Sequence, residues 1–133
     1  MKFLVLLLIL SVTWACSKDE PASALVGTWR LTTYCKPTST TACTSVTVPA
    51  DKNVFIVFTS DGRFIETYEN TKPVEYGFLG GNGSYQIEGD SVRIVTLLMS
   101  SMSGMLIPMI SVKGNQLVLK PYGTGEYVFD RIN

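Results

Sequence analysis

From residue 25 onward the chain repeats one pattern, and that pattern restricts the fold most. A short run rich in β-branched and aromatic residues is followed by a glycine-containing turn. The runs are 26–34, 53–59, 63–69, 84–87, 91–98, 105–112, 116–121 and 126–132. Val, Ile, Thr, Tyr and Phe suit a pleated, half-buried surface. The turns fall at Ser60-Asp61-Gly62-Arg63, Glu88-Gly89-Asp90, Lys113-Gly114-Asn115 and Gly123-Thr124-Gly125. Gly62 can take the positive φ that a tight hairpin needs. No later window carries a helical stripe beyond about two turns. Short turns make antiparallel neighbours. Some eight antiparallel strands close most simply into an up-and-down barrel, which removes exposed edges. The expected fold class is therefore all-β.

The N-terminus reads differently. Lys2 is followed by Phe3 to Leu10, FLVLLLIL, with no polar side chain. The apolar stretch reaches at most to Ala15, short of the ~20 residues that cross a membrane. A basic start, a short apolar centre and a small residue at Ala15 predict a secretory signal peptide over 1–15. Residues 16–24 then form a polar tether, and 25–133 form one domain. Fully extended, Ser17 to Ala24 spans roughly 26 Å, which keeps the domain close to its attachment point.

Thr13-Trp14-Ala15-Cys16 resembles a bacterial lipobox, whose cysteine is diacylated once the chain is cut before it. Each buried methylene adds ~0.8 kcal/mol of membrane affinity, and two chains hold where one does not. Acylated Cys16 implies a durable membrane anchor. Ser17-Lys18-Asp19-Glu20 resembles the acidic export signal of Bacteroidota surface lipoproteins. The resemblance implies an outer-membrane lipoprotein exposed on the cell surface; a periplasm-facing protein is the alternative.

Three cysteines are an odd count for an exported chain, and lipidation of Cys16 resolves it. Cys35 and Cys43 remain, in an oxidising compartment. They are expected to form a disulfide that closes a short loop, with a stabilisation of about 2.5 kcal/mol in the chain-entropy picture.

Composition excludes several functions. Eleven basic and eleven acidic residues leave no net charge, so no nucleic-acid partner is expected. The chain has no histidine, the commonest general base and metal ligand. Glu66 and Glu69 are an odd number apart on one strand and face opposite sides, so they are no catalytic pair. With Glu75 they read as solvated barrel exterior, although Glu66 could point inward and orient a ligand. Met99, Met102 and Met105 have the softness for copper(I), but flanking leucines favour apolar filler at a cavity mouth. Gly80-Gly81-Asn82-Gly83 lacks the Lys-Ser/Thr of a phosphate loop and reads as a turn. No enzyme activity, metal or cofactor is expected.

Leu25-Val26-Gly27-Thr28-Trp29 carries a Gly-x-Trp at the first strand, and this resembles the lipocalin signature. FTSDGRF, GSYQIEGDSVRI and YVFDRI look like the small lipocalin-like lipoproteins of Bacteroidota. The resemblance implies a lipocalin-like barrel closed at one end by Gly27, Trp29 and Arg131, with the guanidinium over the indole. The second lipocalin signature, Thr-Asp-Tyr, is absent. The expected role is binding of a small apolar or amphipathic ligand, with Phe58, Phe64, Glu66, Tyr68, Met99 and Met102 as candidate lining. The alternative is a filled barrel acting as an envelope structural or protein-interaction module.

Overall fold

The computed structural model describes residues 24–39, 42–123 and 125–132. The expected signal peptide, Cys16 and Ser17 to Glu20 lie outside the described residues. Nine strands follow in order: β1 (Gly27–Pro37), β2 (Cys43–Thr47), β3 (Asn53–Phe58), β4 (Arg63–Glu69), β5 (Gly83–Glu88), β6 (Ser91–Thr96), β7 (Met105–Lys113), β8 (Gln116–Tyr122) and β9 (Gly125–Ile132). All pair antiparallel, and β1 also pairs with β9. Eight strands, β1 and β3 through β9, therefore close an up-and-down barrel.

The ninth strand, β2, is an addition to the expected eight. Strand β1 is long enough to share one edge between two partners. Gly27 to Arg30 pair with β3, and Thr33 to Pro37 pair with β2. Cys35 and Cys43 are joined as expected, with Cα atoms 5.4 Å apart. The bond staples this flap at its turn, where Gly125 of β9 leaves room for both sulfurs; a Cβ there would collide with Cys35.

Side chains of alternate parity fill the interior. Val54, Ile56 and Phe58 point inward from β3, and Val92 and Ile94 from β6. Strand β1 breaks parity: its register with β9 shifts between Leu31 and Thr33. The bulge turns Tyr34 inward after Trp29 and Leu31, where it stacks on Tyr127 at 4.9 Å.

One end of the barrel is closed by Trp29. Its ring is fully buried, and its Nε1–H donates to the Leu25 carbonyl at 2.9 Å. Arg131 lies opposite Trp29 in the β1–β9 register, and directly opposed residues share a face. Its guanidinium carbon stands 4.1 Å from the indole centroid. It also donates to the carbonyls of Gly114 (3.2 Å), Val26 (3.0 Å) and Ala24 (2.6 Å). Gly27 makes this possible. Its φ is +142°, and a Cβ there would stand 2.5 Å from Arg131 Nη1. The expected trio is assembled.

Antiparallel alternation puts the β4–β5, β6–β7 and β8–β9 loops at the opposite end. Ala24 thus lies at the closed end.

Arg131→Ala removes a cation–π contact of about 0.5–2 kcal/mol and hydrogen bonds from a charged donor. A loss of about 2–3 kcal/mol is expected, with a fall in the thermal midpoint of several degrees. Arg131→Lys should rescue little, because an ammonium lacks the fork that reaches three carbonyls. An unchanged midpoint in the alanine variant would contradict this account of the closed end.

Candidate functional site: the Glu66 latch and the Phe78 loop

Strand β4 puts Phe64, Glu66 and Tyr68 on its inward face, because strand side chains alternate. Phe64 lies in register with Phe58 of β3, their ring centroids 5.4 Å apart. Phe58 also meets the edge of Tyr85 at 4.9 Å. Four candidate residues, Phe58, Phe64, Glu66 and Tyr68, thus line one interior wall. Met99 is half-buried on the β6–β7 loop. Met102 is 97% exposed there and does not reach the interior. Among the described residues no group of three or more His, Cys, Asp or Glu could hold a metal ion.

Glu66 is not solvated exterior. It is only 5% exposed, whereas Glu69 and Glu75 are exposed. The cause lies next to it in the barrel wall. Strands β4 and β5 pair at only two positions, Arg63–Ser84 and Phe64–Gly83. Beyond Phe64 the edge of β4 has no strand partner. The loop 70–82 runs back along that edge in place of a strand. The Glu66 N–H donates to the side-chain Oδ1 of Asn82 at 2.8 Å.

The Glu66 carboxylate grips the same loop from inside. Oε1 accepts from the Phe78 N–H at 2.8 Å. Oε2 accepts from the N–H groups of Leu79 and Gly80, both at 2.9 Å. The Tyr68 hydroxyl also donates to Oε1. Backbone amides converging on a carboxylate make charge-assisted bonds, roughly twice as strong as neutral ones. Burial, then the hydrogen bond to Glu66 and its negative charge, push the Tyr68 hydroxyl well above the usual phenol range. Tyr68 therefore stays a donor at any physiological pH.

This grip drives Phe78 into the interior. Its ring is 6% exposed and meets Phe129 at 5.3 Å, Tyr127 at 5.4 Å and Phe64 at 6.2 Å. The Tyr127 hydroxyl is pushed up by burial first, then by Tyr122, Tyr34 and Glu66. One further polar group lies here. Thr96, 4% exposed at the end of β6, pairs with Gly83, and its Oγ1 has no hydrogen-bond partner among the described residues.

Sequence reasoning did not single out Thr96 or Asn82. It read Gly80 to Gly83 as a plain turn. The structure ties this stretch to β4 and β6: the Asn82 carbonyl accepts from the Leu97 N–H at 3.2 Å.

No protein-family model matches the chain, and no curated protein matches it. Two solved structures share its fold. One is an uncharacterized protein from Bacteroides eggerthii, 18% identical, TM-score 0.59, with 81% of this chain and 99% of that chain covered. The other is a lipocalin-like protein from Bacteroides uniformis, 19% identical, TM-score 0.55, with 82% of this chain and 99% of that chain covered. The fold is a lipocalin-like barrel.

Replacing Glu66 with Ala leaves three backbone donors of the loop without their acceptor. Each unsatisfied buried donor costs about 1–3 kcal/mol, and part is recovered as the loop rehydrates. A net loss of about 2–3 kcal/mol is expected. Urea unfolding measures it, and Glu69→Ala on the exposed side of the strand should stay within about 0.5 kcal/mol. Equal midpoints for the two variants would contradict the latch.

Proposed function

We propose that this protein is a lipid-anchored envelope protein whose barrel binds a small apolar or amphipathic molecule. The anchor rests on Cys16 and its lipobox-like surroundings, and the surface address on Ser17 to Glu20. No catalytic step is part of this reading. One observation carries the binding role: the barrel wall is strand-paired at only two positions between β4 and β5, and a loop fills the rest. A loop held by a handful of hydrogen bonds can withdraw without unpairing the sheet. Its withdrawal would uncover an apolar interior next to a carboxylate, the mixture typical of small-molecule sites. The loop lies at the end away from Ala24, so it would face away from the anchoring membrane.

A second reading has its own support. Leu97 (93% exposed), Leu98 and Met102 project from the β6–β7 loop, and Val74 from the 70–82 loop. Large exposed apolar side chains favour a protein-interaction module with a filled barrel.

Native mass spectrometry of the protein purified from its own envelope tests both parts. The expected intact mass carries acyl chains on Cys16, and a small molecule copurifies and departs on denaturation. An unacylated Cys16 would overturn the anchor. A clean apoprotein mass, repeated after incubation with lipid extract, would overturn the carrier reading in favour of the filled barrel.

A further inference from the structure

Among the described residues Glu66 is the one buried acidic side chain, and no cationic side chain pairs with it. Among the described residues the two ion pairs are Arg63–Asp61 and Arg93–Glu88, and neither involves Glu66. The hydrogen-bond donors to the Glu66 carboxylate are all neutral: three amides and the Tyr68 hydroxyl. Three of those four belong to the loop 70–82. When the loop leaves, the carboxylate keeps Tyr68 alone. The uncovered carboxylate then takes its partners from water or from a ligand, and a cation complements its charge.

The surroundings of Phe78 are aromatic. Its ring sits between Phe64, Tyr127 and Phe129, with centroids 5.3 to 6.2 Å away. An aromatic cage around an apolar group, with a carboxylate beside it, suits an organic ammonium group carried on an apolar body. Thr96 adds a buried hydroxyl with no hydrogen-bond partner among the described residues, close to Gly81 and Gly83 at the end of the loop.

We propose that Phe78 is a self-inserted occupant of this cage, and that the ligand is an amphipathic organic cation, an ammonium group on an apolar body. The ammonium takes the hydrogen bonds and charge of Glu66 that the loop amides now hold. The apolar body replaces the Phe78 ring. The proposal rests on the ligand-binding reading and adds to it the charge of the ligand and the element displaced. Competition with Phe78 makes the apparent affinity of the native protein weaker than that of the opened cage by the fraction of time the loop is out.

The test uses benzylammonium at pH 7, because its benzyl group copies the Phe78 side chain. Its neutral and anionic counterparts are benzyl alcohol and phenylacetate. Calorimetric titration is made on the full chain carrying Phe78→Ala, and again with Glu66→Gln added. The expected result is benzylammonium binding at least ~10-fold tighter than either counterpart, the order expected of a charge-assisted contact. That preference disappears in the double variant. Should Phe78→Ala not fold, the native protein is titrated with benzylammonium, and the amide signals of Phe78, Leu79 and Gly80 are followed by NMR. They should shift with benzylammonium and not with phenylacetate. Equal binding of all three probes overturns the cation assignment and leaves the carrier reading standing. Binding of none of them, with no amide shift, overturns both.

Discussion

A single carboxylate determines how this barrel is completed. Strands β4 and β5 diverge after two paired positions, and an open seam in a sheet is expensive because each backbone group along it needs a partner. Glu66 turns that gap into a binding surface for the chain's own loop. Its two oxygens satisfy the N–H groups of residues 78, 79 and 80, and the loop's Asn82 satisfies the Glu66 N–H in return. Phe78 then reaches the interior and joins Phe64, Tyr127 and Phe129. Without the grip, the ring would have to leave, and the core would lose contact with one of its larger side chains.

The two ends of the barrel follow opposite logic. At the closed end a cation, Arg131, lies over a tryptophan and is shared among three backbone carbonyls. At the far end an anion, Glu66, gathers three backbone amides. Arg131 sits where β9 pairs with β1, so its backbone cannot move without opening the sheet. Glu66 holds an irregular loop whose release breaks no strand pairing. The fold thus carries one fixed plug and one that can withdraw. The fixed plug is at the end where Ala24 lies.

Strand positions were legible because glycine turns cut the sequence into runs of the right length and composition. The closed end was legible from Gly27, Trp29 and Arg131, and the disulfide from the count of cysteines. Strand β2 was not legible. CTSVT is short and half polar, and it becomes a strand only because β1 extends beyond β3 and the disulfide brings it alongside. The bulge after Leu31 was hidden for a similar reason: it shifts a parity that alternation can only extrapolate. The role of Glu66 was half visible. Its inward parity can be counted along the strand, but its burial depends on a loop more than ten residues away. That loop is rich in glycine and asparagine and gives no periodic signal. Thr96 looked like an ordinary strand threonine, and only its missing hydrogen bond distinguishes it.

The central claim is that the loop is latched and yet opens separately from the barrel. Amide hydrogen exchange at Phe78, Leu79 and Gly80 tests it most directly. The account predicts intermediate protection for these three amides. They should exchange far more slowly than the amide of the exposed neighbour Val74, and faster than the amides of β8 and β9, with the protection lost in Glu66→Gln. Exchange as fast as that of Val74 would show that no latch exists. Exchange as slow as global unfolding would show that the loop never opens by itself, and the withdrawable plug would be contradicted.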